Sequence, residues 1–178
     1  MFDKQYRFRG SHAEKVKQLT ATFESIKKTS VFARNVDVYV NAPLIGYLFG
    51  RKAEADNAKN PETGEVYNQN VMGDRVMYSS DDLLYNFRLI MLLDEEYEPD
   101  EEVRINKAFR VMGKDPKDME RFDSYVRGGV DVLYEKVIEG AGEAEDYVNR
   151  LYDFIADFYE RFNETVDRGE ILEACKQK

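Results

Sequence analysis

The chain has 178 residues and a mass of 20.8 kDa, with 26 Lys and Arg against 35 Asp and Glu, a net charge of −9. That length suits one compact domain, since two would each have a thin core. An apolar content of 43%, with 13% aromatics, is too rich for a disordered chain. One His, one Cys and no Trp exclude, within a single chain, a disulfide, a Cys/His zinc site and a multi-histidine di-iron centre.

Residues 1–10, MFDKQYRFRG, mix polar and aromatic side chains without the apolar core of a secretory signal, and read as a short extended arm. Ser11-His12-Ala13-Glu14 has the S-x-x-E form of a capping box, and Ala13, Val16, Leu19, Phe23 and Ile26 follow at the spacing of one helical face. These features predict a helix from Ser11 to Lys28. The next segment, Ser30 to Lys52, carries two patterns: Val36, Val38 and Val40 alternate as in a strand, while Phe32, Val36, Val40, Leu44 and Leu48 recur every four residues. Its length favours a helix kinked at Pro43, with a strand at 35–40 as the rival. This is also the most apolar stretch, but Asp37, Asn41, Pro43 and Gly46 interrupt it, and it is too short to span a bilayer.

Residues 57–78 read as a long connection, rich in Asn, with one helical turn around Val66 to Val71. Ser79-Ser80-Asp81-Asp82 opens a helix through Leu93 that runs into Asp94-Glu95-Glu96. Three acids at a helix C-terminus oppose its dipole, so the stop there must come from context. Pro99 opens a shorter helix closed near Gly113, and Asp115-Pro116 pairs a capping residue with proline at the first helical position. Met119, Phe122, Val126, Val130, Leu133 and Val137 carry that helix toward Gly140. Glu143 begins the last helix, with Tyr147, Leu151, Phe154, Ile155, Phe158 and Phe162 expected to face inward. The whole predicts an all-α, single-domain bundle of five or six helices with an extended N-terminal arm.

Chemistry is harder to find. His12 falls in a first helical turn, as a surface or capping histidine, with no G-x-S-x-G turn to supply a nucleophile. Glu98/Glu101 and Glu143/Asp146 have the spacing of a carboxylate–Mg²⁺ pair, but both sit at helix entries, where acids are expected for dipole reasons. No Walker A or G-x-G-x-x-G sequence occurs, and neither a metal nor a cofactor is expected.

Two polar sets stand out. If 30–52 is helical, Arg34, Asp37 and Asn41 share one side of it, and they are the candidates for an interface or small pocket. Their simpler role is an Arg34–Asp37 pair with Asn41 bonded to a neighbouring helix. Arg127 joins them, beside Gly128-Gly129, a pair whose first reading is close helix packing.

The charge is also uneven. Residues 1–52 hold ten basic and four acidic side chains, a net +6, and the remainder is −15. Arg7, Arg9, Lys15, Lys17, Lys27 and Lys28 are therefore nucleic-acid candidates, with Tyr6 and Phe8 as stacking partners. The leading expectation is a non-enzymatic interaction or assembly subunit of a cytoplasmic complex. Bundles pair readily through a helix face, so a homodimer or another protein is the expected partner, and no membrane is. A nucleic-acid-associated accessory subunit, of a DNA-processing or defence system, is the alternative, and a carboxylate-metal hydrolase comes third.

Overall fold

A computed structural model describes residues 1–23 and 29–163. In chain order the elements are β1 (Tyr6–Arg9), α1 (Gly10–Leu19), α2 (Asn35–Leu48), β2 (Asn68–Val71), α3 (Gly73–Tyr78), α4 (Ser80–Leu93), α5 (Glu101–Ile105), α6 (Pro116–Leu133) and α7 (Ala144–Phe162). Wider, π-type turns continue α5 over Asn106–Arg110 and α6 over Tyr134–Ile138. The fold is mostly helical, with seven α-helices and one two-stranded sheet among the described residues. None of these helices is long and apolar enough to cross a membrane.

The sheet corrects the all-helical reading at two places. The extended arm is a strand, and 66–71, expected as a helical turn, supplies its antiparallel partner in the register Tyr6↔Val71, Arg7↔Asn70, Phe8↔Gln69, Arg9↔Asn68. Backbone amides in an extended arm must find acceptors, and a second extended segment satisfies them. The Asn-rich run also disfavours helix, and Val71 turns inward while Asn68 and Asn70 stay exposed, a two-residue period.

Helix α1 begins one residue earlier than expected and stops at Leu19. The capping box does not form: Arg9 occupies the cap, and the Ser11 hydroxyl and amide both donate to Asp56 instead. Its end is set at Thr20, whose hydroxyl donates to the carbonyls of Val16 and Lys17 and competes with the helical ladder. Phe23 therefore leaves the helix and stacks on Tyr147 at 4.9 Å. Ile26, Lys27, Lys28 and Cys175 lie outside the described residues.

The ambiguous 30–52 segment resolves as helix α2, with Pro43 inside it. A proline there removes one helical hydrogen bond. The buried Asn86 of α4 donates to the Val40 carbonyl at 2.7 Å, next to the interruption. The densest contact in the molecule is α2 against α6, and glycines make it. A Cβ on Gly129 would strike the Ala42 carbonyl, one on Gly46 the Tyr125 carbonyl, and one on Gly128 the Arg51 carbonyl. Two backbones meet where side chains would hold them apart. Around this crossing a single apolar core gathers Phe8, Val38, Leu83, Phe87, Ile90, Phe122 and Val130, with Phe2 packed against Phe87 and Phe122.

The starts at Asp115 and Glu143 form as the sequence predicts, whereas the helix expected to open at Pro99 begins at Glu101, capped by Asp100. Asp100 accepts from the Val103 amide and Asp115 from the Lys117 amide, while Glu143 and Asp146 form a reciprocal capping box.

Candidate interaction surfaces

The polar residues inside the fold are mostly used to hold it. Asp94 ends α4, and it resolves the adverse charge noted there: Arg121 of α6 grips both its oxygens, at 2.7 and 3.0 Å, and the Tyr125 hydroxyl donates at 2.9 Å. Burial disfavours ionisation of Asp94, but the bonds from Arg121 and Tyr125 outweigh it and hold this carboxyl below its usual range. One turn back, Asp118 is 1% exposed and accepts from Lys107 at 2.7 Å and from the Tyr97 hydroxyl at 2.8 Å.

His12 is not at the surface as the sequence suggested. It lies one turn before Val16, on the buried face of α1, where it is 4% exposed between Asp56 at 3.6 Å and Asp131 at 3.4 Å. Lys15 completes the cluster with a 2.6 Å contact to Asp131. The arrangement ties α1 to the 53–58 segment and to α6, and both carboxylates carry further partners, Ser11 on one and Lys15 on the other.

Asp123 is an exception, as is the second oxygen of Asp118, which is buried without a hydrogen-bond partner. The Oδ1 of Asp123 is buried and accepts no hydrogen bond. Burial pushes this carboxyl up to about 7, against the pull of Arg127 and with a further push from Glu120. Tyr6 and Tyr39 stack at 3.9 Å, and burial first, then the Asp123 charge, raises both phenols well above their usual range.

A cleft of about 540 Å³ opens beside α6 and is lined by Lys52, Tyr97, Lys117, Arg121, Ser124 and Arg127. Three of these cations are already committed. Lys52 meets Glu96 at 2.5 Å, Arg121 holds Asp94, and Arg127 meets Glu120 at 2.5 Å while donating to the Ala53 carbonyl. Arg127 is therefore a buried strut between α6 and the chain after α2. No group of three His, Cys, Asp or Glu side chains among the described residues is arranged to hold a metal ion. Glu98 accepts from the Asp100 amide and Asp146 serves the capping box, so the two acidic pairs act on backbone.

Arg34 and Asp37 pair with one another at 2.6 Å in a solvent-facing position, and Asn41 donates to the Asp37 carbonyl. Of the basic candidates, Arg7 and Arg9 lie exposed on the outer face of the β1–β2 ribbon. Lys17 is exposed, 3.8 Å from Glu14, whereas Lys15 is spent on Asp131. The structure thus brings Arg7 and Arg9 together and separates them from Lys15.

Two surfaces escaped sequence reasoning. The first is the outer face of α7. Of the residues expected inside, Phe162 packs its ring on Phe49 and Phe158 at the edge of this face, whereas Ile155 is 58% exposed, in line with Val148, Tyr152 and Tyr159. Only Phe154 of this helix is fully buried. The four-then-three spacing of 148, 152, 155, 159 and 162 was visible in the sequence, alongside a second apolar row that took the core. The second surface is the pair Asn68 and Asn70, opposite Arg9 and Arg7. Their signal was the alternation Tyr67, Gln69, Val71. Comparison with protein-family models, with curated proteins and with solved structures finds no match to this chain.

Proposed function

We propose that this protein is a non-enzymatic helical-bundle subunit that assembles through the outer face of α7, its first partner being a second copy of itself. The observation that supports this reading is the exposed row Val148, Tyr152, Ile155, Tyr159 and Phe162. A 4-3-4-3 spacing is the seam of a left-handed helix pair, in which apolar knobs fit holes on a facing helix. Asn149 and Ala156 flank the seam without charge. Tyrosine suits such a surface, since its ring is apolar and its hydroxyl tolerates water.

Size is adequate. Large side chains at these exposures present on the order of 500 Å² of apolar surface per copy. Pairing two copies then removes roughly 1,000 Å², near the lower limit for a specific interface.

Light scattering on the purified chain at about 100 μM, well above the Kd of a micromolar interface, is the test. The expected result is a dimer for the wild type and a monomer for Ile155→Asp/Tyr159→Asp. A wild type that stays monomeric, or a double variant that stays dimeric, overturns the reading.

A further inference from the structure

The outer face of the β1–β2 ribbon has an unusual composition. Phe8 and Val71, each 2% exposed, point into the core together with the half-buried Tyr6 and Gln69. The opposite face consists of Arg7, Arg9, Asn68 and Asn70, all exposed. The register sets each arginine across from an asparagine, Arg7 opposite Asn70 and Arg9 opposite Asn68. Arg7 Nε donates to Asn70 Oδ1 at 3.0 Å, so one pair is already held side by side. Four positions carry two cations, two amides, no carboxylate and no apolar group.

From this face we infer that the protein binds duplex DNA, the β1–β2 ribbon entering the major groove with Arg7, Arg9, Asn68 and Asn70 toward the base edges. The inference is independent of self-assembly through α7. A major groove about 12 Å wide admits a two-stranded ribbon, whose strands lie about 4.8 Å apart. Side chains on one face of a strand repeat every ~6.7 Å, which matches two base-pair steps at 3.4 Å each. Arg7 and Arg9 thus address positions two base pairs apart.

The side-chain chemistry is suited to those edges. A guanidinium donates twice to guanine O6 and N7, and a carboxamide both donates to and accepts from adenine N6 and N7. Arg34 and Arg75 line the hollow beside Asn70, both exposed, where they can exchange their acidic neighbours Asp37 and Asp74 for phosphates. A-form RNA offers a deep, narrow major groove that side chains cannot read, so duplex RNA is the weaker partner.

The test is fluorescence anisotropy of the full-length chain with a labelled duplex of about 25 base pairs of mixed sequence, at salt concentrations from about 50 to 200 mM. Wild type binds at low salt and weakens steeply as salt rises. Arg7→Ala/Arg9→Ala lowers affinity at least tenfold and reduces the slope of log K against log salt by about 2. Asn68→Ala/Asn70→Ala keeps binding to mixed sequence within about threefold, but loses the preferred sites that the wild type selects from a randomised pool. Lys17→Glu, an exposed charge change away from the ribbon, controls for net charge and leaves affinity within about threefold. All four residues of the face are exposed, so circular dichroism of the variants should match wild type. The inference is overturned by no duplex binding at about 50 mM salt, by equal or tighter binding of single strands or duplex RNA, or by a Lys17→Glu loss as large as that of the arginine pair.

Discussion

Helices α6 and α7 are both long and strongly two-sided, and they end in opposite circumstances. Eleven residues of α6 are buried, whereas α7 buries Phe154 alone. The difference lies in what each offers a neighbour. Helix α6 presents Gly128 and Gly129, so α2 and the chain just beyond it approach to backbone contact. Helix α7 presents large rings on two adjacent faces, and a compact core accommodates only one of them. Amphipathicity announces that a helix has an apolar side. The size of the side chains on it decides whether that side becomes interior or interface.

The largest expected effect comes from prising α2 from α6. Gly129→Ala adds a methyl where the Ala42 carbonyl lies, and neither backbone can yield without separating the helices. A loss of about 3 kcal/mol in urea unfolding is expected, at the upper end for overpacking. A loss below about 0.5 kcal/mol would mean that α2 and α6 are not locked together.

Asp123 gives the next effect and sharpens the picture of α6 as the buried helix. Its carboxyl is raised to about 7 in the fold, from an ordinary value of 3.8. Between those values the folded chain holds a proton that the unfolded chain has released. This group therefore lowers stability as pH rises from about 4 to 7, the reverse of the contribution of Asp94, whose carboxyl is depressed. Asp123→Asn should be more stable than wild type by about 2 kcal/mol at pH 8, discounted from the full shift because the side chain is only half-buried. Near pH 4 the two should converge. Equal stability at both pH values would show that the orphaned oxygen finds water.

The smallest effect is expected on α7. Ile155→Asp/Tyr159→Asp, the variant that should break the dimer, should change the unfolding free energy of the isolated subunit by no more than about 0.5 kcal/mol, read under dilute conditions. A large loss would place this face in the fold and bring α7 closer to α6 in kind.

The helices were legible wherever caps and periodicity agreed: Asp115-Pro116 and Glu143 start α6 and α7 as their chemistry requires. The glycine pair also reads correctly as close packing, since helix interiors rarely keep glycine without a reason. What escaped depended on partners distant in sequence. Asn68 and Asn70 become a strand only because Tyr6–Arg9 lies beside them. Ser11 looks like a cap until Asp56, 45 residues away, takes both its amide and its hydroxyl. His12 reads as a surface residue from its place in the first turn, whereas its four-residue spacing to Val16 puts it on the buried face against Asp131. Arg34 and Asp37 were found as a pair, and their simplest role, bonding each other, is the one seen. The face of α7 was readable as two apolar rows, but sequence alone does not say which row the core will take.

Strand β1 passes into α1 with no residue between them. The turn is made at Gly10, where φ is +60° and the amide donates to the Tyr67 carbonyl of the chain leading into β2. Any side chain there would meet Asp56, so the joint has neither slack nor a substitute. Ribbon and helix consequently form one lever. Its short arm is the Arg/Asn face, and its fulcrum is the glycine. Its long arm carries His12 and Lys15 against Asp131 of α6. Moving the ribbon as a unit with α1 would draw His12 away from Asp56 and Asp131, linking the outer face to this polar contact.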